Sequence, residues 1–273
     1  MKYNELIIYT DVDGTAATNV NHVGKVSAAN IQAIQEFVKE GGMFGVASGR
    51  SHESIDDVFQ HIEINLPYVE ANGASVWDKE KQDYLSIHFI NRAFKEAIYR
   101  FVKSRKGLTL TAMDRESKKI MLYDDRDDLI FDYPRKMMTY EEFINTDLLK
   151  CAFLAEGDVV DQAIEELKTV EFMDGITSSR SADIYLEFFN SKASKGDGIQ
   201  TVLKSKENLK GRKLVCIGDY YNDISMLEIA DIAICPANAV KEVQEICDYI
   251  AVSNDKDTIV DALMYLRGYN GKV

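Results

Sequence analysis

No two cysteines in this chain are spaced as CxxC; the four stand apart at 151, 216, 235 and 247. That spacing argues against a thioredoxin-like redox pair or a cysteine zinc site. Cys216 and Cys235 fall inside apolar, strand-like runs, where a free Cys serves as a small core residue. The four histidines (His22, His52, His61, His88) make no ligand-spaced cluster, so a zinc centre is not expected. Positive charge is in deficit as well. Lys and Arg number 32 against 45 Asp and Glu, a formal net charge of -13. Such a field repels a phosphate backbone, and nucleic acid is not an expected partner. It also repels small anions unless a metal ion or local cations reverse its sign at one place. Long apolar runs are missing near the start, where Leu6–Tyr9 is interrupted by Asp11. That run is too short for a signal peptide or a spanning helix, so a reducing cytoplasm and no membrane partner are expected. The chain shows neither an internal repeat nor a low-complexity linker.

What is present is an ordinary globular balance. The 273 residues are 46% hydrophobic and 28% charged, enough for a sizeable core without staples. Short apolar runs alternate with helix-period stretches. Leu6–Tyr9 reads as a strand, and its unbroken apolarity suits a parallel strand buried on both faces. Ser27 is placed to cap a helix carrying Ile31, Ile34 and Val38, stopped at Gly41-Gly42. Strand Met43–Ala47, a helix from about Ser51 to His61, and strand Tyr68–Glu70 follow. The C-terminal part repeats the grammar with helix Ser194–Leu203, strand Lys213–Ile217, helix Asn222–Ile229 and strand Ile232–Cys235. Helix Val240–Cys247, strand Tyr249–Val252 and helix Thr258–Leu266 complete it. Strict alternation predicts an α/β fold with a doubly wound parallel sheet.

Residues 84–189 break the alternation. Strand-like stretches Tyr84–Phe89, Lys119–Tyr123 and Ile184–Phe189 accompany two patterned helices. One carries Phe94, Ala97, Ile98, Phe101 and Val102; the other carries Val159, Ala163, Ile164, Leu167 and Val170. The expected organisation is a core from 1–83 and 190–273 with an inserted α+β domain at 84–189. The acidic run Asp124–Asp128 reads as a solvated surface.

Ligands of open parallel sheets bind at the carboxyl ends of the strands, and polar clusters fall there. Asp11-Val12-Asp13-Gly14-Thr15 follows the first strand, with Asp11 and Asp13 on one side of an extended chain. Two carboxylates that close call for a cation or a shared proton. A calcium loop would need a ligand fifth, a Gly sixth and a helix upstream; here Ala16 is sixth and a strand precedes. Ala47-Ser48-Gly49-Arg50 ends the next strand and opens a helix, offering a hydroxyl and free N–H groups to an anion. Ser194-Lys195-Gly196 adds an ammonium at another helix start. Gly218-Asp219-Tyr220-Tyr221-Asn222-Asp223 adds two more acids after Lys213–Ile217. Taken singly, the turns and caps have bland explanations. Together they bring acids, a hydroxyl and a cation to successive strand ends.

These motifs resemble the haloacid dehalogenase superfamily, in particular its Cof-like subclass IIB phosphatases. Asp11 to Thr15 is similar to that family's first motif, Ser48 to its second, Lys195 to its third, and Gly218-Asp219 through Asn222-Asp223 to its fourth. Asn72-Gly73-Ala74 and Asn238-Ala239 also sit where recurrent family segments fall. Only about 35 residues separate Asp13 from Ser48, whereas the long insertion follows the second motif, the cap position of that branch.

The resemblance implies a Rossmann-like core with a cap domain. It implies a magnesium-dependent phosphatase that hydrolyses a small phosphate monoester, such as a sugar phosphate or phosphorylated cofactor. Asp11 would be the nucleophile, forming an aspartyl-phosphate, and Asp13 the general acid and base. Mg2+ would take Asp11, the Asp13 backbone carbonyl and Asp219, with Asp223 orienting a bound water. Ser48, Gly49, Lys195 and Asn222 would hold the phosphoryl oxygens. A phosphomutase of the phosphomannomutase kind is the alternative. It would need a cationic second phosphate site, for which Arg115, Lys118, Lys119 and Arg180 show no clear cluster. A non-catalytic phosphate-binding regulator is a third reading, which the full set of acids opposes.

Overall fold

The computed structural model describes residues 1–20, 23–60, 62–116, 119–123, 136–155, 157–167, 173–182 and 184–268. His22, His61, Lys118, Val170 and the acidic run 124–128 lie outside these residues. The chain divides into two compact units, Met1–Ser86 with Ser194–Val273, and Ile87–Ala193.

The first unit begins with β1 (Leu6–Thr10), β2 (Ala17–Val20), β3 (Val23–Val26), α1 (Ala28–Lys39), β4 (Met43–Val46) and α2 (His52–Val58). Next come β5 (Tyr68–Glu70), β6 (Ser75–Asp78) and β7 (Asp83–Ile87). In the second unit are α3 (Arg92–Lys103), β8 (Thr109–Asp114), β9 (Lys119–Tyr123), β10 (Lys136–Met137) and α4 (Tyr140–Asn145). It continues with β11 (Leu148–Leu154), α5 (Gly157–Leu167), β12 (Ile176–Ala182) and β13 (Tyr185–Asn190). The first unit then resumes with α6 (Lys195–Ser205), β14 (Lys213–Ile217), α7 (Ile224–Leu227) and β15 (Ile232–Pro236). It closes with α8 (Lys241–Ile246), β16 (Tyr249–Ala251) and α9 (Thr258–Gly268).

The central sheet runs β16-β15-β14-β1-β4, and every pair in it is parallel. All five residues of β1 are buried. Leu6 and Ile8 join Phe37, Phe44 and Val215 on one face, while Ile7 and Tyr9 join Ile199, Val202 and Met226 on the other. Burial on both faces explains why the strand is apolar throughout. Cys216 and Cys235 are buried in the second of these clusters.

Ser27 caps α1 as the sequence implies, its side chain accepting from the Asn30 N–H. The buried face is Asn30, Ile34 and Phe37, with Ile31 and Val38 beside it. Asn30 is polar because its side-chain oxygen accepts the N–H groups of Ile259 and Val260 at the start of α9. Three elements differ from expectation. The hairpin β2–β3 was not anticipated. Strand β7 completes a three-stranded sheet with β5 and β6. The helix expected over Asn222–Ile229 is instead a 3-10 turn, Tyr221–Asp223, followed by α7.

The second unit is α+β. Its sheet runs β10-β9-β8-β11-β13-β12, antiparallel except for β10 against β9. Phe94, Ile98 and Phe101 of α3, Phe143 of α4 and Val160 of α5 pack with Leu110, Cys151, Phe153 and Phe188 on one sheet face. Among the described residues no helix is long and apolar enough to cross a membrane.

Candidate active site

Parallel pairing brings the ends of β1, β4 and β14 to one edge. The Asp11 N–H bonds the Ile217 carbonyl at 2.8 Å, and the Ala47 N–H bonds the Thr10 carbonyl at 2.9 Å. The chain then leaves each strand with a polar loop. Gly14 lets the first loop turn, with φ +85°. A Cβ there would stand 2.5 Å from an Asp219 carboxylate oxygen, so only glycine lets that side chain in.

Asp11, Asp219 and Asp223 converge, each offering a carboxylate oxygen within 4.8 Å of the others. Lys195, fully buried, donates to Asp11 Oδ1 at 2.6 Å and to Asp223 Oδ1 at 2.5 Å. The other oxygen of Asp223 accepts the N–H groups of Asp219 and Tyr220, at 2.8 and 3.1 Å. That bond pair tightens the backbone into the 3-10 turn that replaces the first part of the expected helix. Thr15 Oγ1 donates to Asp219 Oδ1 at 2.6 Å.

These groups are poised electrostatically. Burial pushes the Asp11 carboxyl well above its ordinary range; Lys195 opposes that, and Asp223, Asp219 and Asp13 add to it. Asp219 is pushed up to about 7, mainly by burial and then by Asp223. For Lys195 burial works downward, yet Asp11 and Asp223 outweigh it and raise the ammonium's pKa. The cluster carries more negative charge than one lysine balances, and its donors are hard oxygens. Both features fit a small divalent cation.

Asp13 lies apart from this triad and is clasped by Arg50, whose Nε and Nη2 each donate to one carboxylate oxygen at 2.7 Å. Ser54 Oγ accepts from Arg50 Nη1 at 3.0 Å. Ser48 is buried, and its Oγ accepts the Arg50 N–H at 3.2 Å. Asn222 Nδ2 donates to Asn72 Oδ1 at 3.1 Å. Gly49 lies against the Asn72 amide, where a Cβ would approach Nδ2 to 3.3 Å. The structure thus gathers Asp11, Lys195, Asp219 and Asp223 in one hydrogen-bonded cluster. Gly49 and Asn222 meet at Asn72, and Asp13 and Ser48 share Arg50.

Several partners were not read from the sequence. The Arg50 clasp, the Thr15 hydroxyl and the Asn72 amide all join positions far apart in the chain. Asn238 is another, donating to the Gly14 carbonyl at 2.8 Å. A further set holds α2 in place. The fully buried Glu70 accepts the His52 N–H at 2.7 Å, the His52 ring at 2.9 Å and the Ser75 hydroxyl at 2.7 Å. His52 also stacks on Trp77, centroids 4.5 Å apart. After Glu70, Ala71, Asn72 and Gly73 carry φ of +49°, +57° and +94° in succession. For Ala71 that conformation costs roughly 1–2 kcal/mol.

Residues 8–263 match the model of the haloacid dehalogenase-like hydrolase family. The Streptococcus pyogenes serotype M6 protein M6_Spy0533 is 27% identical over 271 residues, covering 94% of this chain and 96% of that protein. The Bacillus subtilis 5-amino-6-(5-phospho-D-ribitylamino)uracil phosphatase YwtE is 25% identical, covering 92% of this chain and 94% of its own length. Among solved structures, the subclass IIB sugar phosphatase BT4131 superposes with a TM-score of 0.78 at 19% identity, over 96% of this chain and 98% of that one.

Proposed function

The chain belongs to the haloacid dehalogenase-like hydrolases and is a phosphatase; on that premise we propose that it hydrolyses small phosphate monoesters through a phosphoryl-aspartate on Asp11. The observation that carries the reading is the buried convergence of Asp11, Asp219 and Asp223 around Lys195.

Asp11 attacks the phosphorus, one of its oxygens forming the new P–O bond as the ester P–O bond breaks. Lys195 grips Oδ1 of that carboxylate and so fixes which oxygen faces the substrate. Asp13 gives a proton to the departing oxygen, then takes one from the water that cleaves the acyl phosphate and frees inorganic phosphate. Arg50 holds Asp13 in a bidentate grip that sets the direction of its carboxylate. Ser48, the Gly49 N–H, Lys195 and Asn222 hold the phosphoryl oxygens, where transition-state charge is spread.

Asp11, Asp219 and the Asp13 carbonyl would hold Mg2+, with Asp223 orienting one of its waters. When bound, the ion supplies positive charge against the phosphoryl oxygens and Asp11. It also explains how a chain of net charge -13 accepts an anion. By the family resemblance, the role proposed for the inserted α+β unit is that of a cap whose side chains choose the leaving group. Sugar phosphates and phosphorylated cofactors are the substrate class, in keeping with the two named phosphatases among its relatives. A reducing cytoplasm suits its free cysteines.

The test is phosphate release from an aryl phosphate and a panel of sugar and cofactor phosphates. It is run with magnesium, with chelator, and in Asp11→Asn. Turnover that requires magnesium and disappears in Asp11→Asn is expected. A folded wild-type protein that releases no phosphate from any member would overturn hydrolysis and turn attention to phosphoryl transfer between positions of a sugar bisphosphate.

A further inference from the structure

The turn Ala71-Asn72-Gly73 threads between the loops that bear the site. The Ala71 N–H bonds the Arg50 carbonyl at 3.1 Å, and the Asn72 N–H bonds the Ser48 carbonyl at 2.9 Å. Upstream, Glu70 fixes the His52 N–H, so the loop from Ser48 to His52 is held at three backbone points. Downstream, a Cβ at Gly73 would stand 2.0 Å from the Ser194 carbonyl oxygen, the residue that caps the helix bearing Lys195. The Asn72 side chain closes the set by taking a hydrogen bond from Asn222.

Three successive left-handed residues persist only where the surroundings hold them, and such turns gather at functional sites. The Asn72 amide oxygen is engaged by Asn222, and Asn222 is the more exposed of the two. We propose that Asn72 is a positioning residue. It fixes the Asn222 amide and the Ser48-Gly49 loop in the relative geometry that grips the transferring phosphoryl group. The inference rests on the phosphatase reading, since it assigns Asn72 an action through groups that hold phosphate. It also explains the residue type. At φ +57° an Asn is tolerated where most side chains are not, and its amide oxygen adds an acceptor for Asn222.

The experiment is a kinetic double-mutant cycle in the full-length protein with magnesium and an aryl phosphate. Asn72→Gly keeps the positive φ and removes the amide; Asn222→Ala removes the partner. Each single change is expected to lower kcat/KM about 10- to 100-fold, the worth of a hydrogen bond to a charged group. Because Asn72 acts largely through Asn222, adding Asn222→Ala to Asn72→Gly should cost less than about a further twofold. Losses that multiply, or an Asn72→Gly enzyme with unchanged kcat/KM, would overturn the proposal. Thermal unfolding checks that each variant folds. If Asn72→Gly does not fold, Asn72→Ser, too short to reach Asn222, takes its place in the same cycle. An inactive wild type would sink the phosphatase reading instead, so the two failures are separable.

Discussion

Replacing Asp219 by Asn should make the metal-free protein more stable while abolishing its activity. Asp219 is 9% exposed and its carboxyl is raised from an ordinary 3.8 to about 7. A carboxyl whose folded pKa is raised binds its proton more tightly when folded, so its ionisation opposes folding. The stability it removes is nil below about pH 4, grows as pH rises, and reaches its full value above about pH 7. A rise from 3.8 to about 7 corresponds to ~4 kcal/mol at pH 8. Asn carries no charge and still accepts from Thr15 Oγ1 through its amide oxygen. Relaxation around the ionised wild-type group absorbs part of the difference, and a net gain of ~2 kcal/mol is expected, or roughly 4–8 °C in Tm. The assay is thermal unfolding at pH 8 in chelator and at pH 5, where the gap should nearly close. Saturating magnesium should reverse the order, because ligand at a hundredfold excess over Kd adds about 2.7 kcal/mol to the wild type alone. An Asn variant that melts below wild type at pH 8 in chelator would refute the reasoning.

Other outcomes follow from the same geometry. Lys195→Met should destabilise the protein by roughly 3–5 kcal/mol, seen as a lower urea midpoint, because Asp11 and Asp223 lose their shared buried cation. Thr15→Val should weaken magnesium binding about 10- to 100-fold by calorimetry with the fold intact, since Thr15 orients the Asp219 carboxylate. With Asp219 at about 7 and the Asp11 carboxyl also raised, apparent magnesium affinity should fall at least about tenfold per unit as pH drops below 7; an affinity flat from pH 5 to 8 would contradict that assignment. Arg50→Ala should lower kcat about 10- to 100-fold with little change in KM, because it releases Asp13 rather than substrate.

The parallel core was legible because β1, β14 and β15 are nearly unbroken apolar runs, buried on both faces. Ser27 and Ser194 marked helix starts by a mechanism that acts within three residues, which is why they could be read locally. The strands β2 and β3 have four residues each and too little period to register. The chain after β14 reads locally as one long helix, and the structure departs from it because Asp223 turns back onto the Asp219 and Tyr220 N–H groups, which the apolar pattern does not register. The site shows the same division. Motif residues at strand ends stood out by type and spacing. Arg50 with Asp13, Thr15 with Asp219, and Asn72 with Asn222 join residues 37, 204 and 150 positions apart, and only tertiary closure brings them together.

The strand order has a consequence for how the protein is made. Leu6–Thr10 lies between Met43–Val46 and Lys213–Ile217, so the first strand waits for one neighbour until more than two hundred residues have left the ribosome. Contacts of that sequence separation are slow to form, whereas Ile87–Ala193 is one continuous stretch able to fold earlier. Asp219 and Asp223 lie beyond the late strand. A chain released before that point holds Asp11 and Asp13 but not the acids opposite them, and so lacks a completed centre.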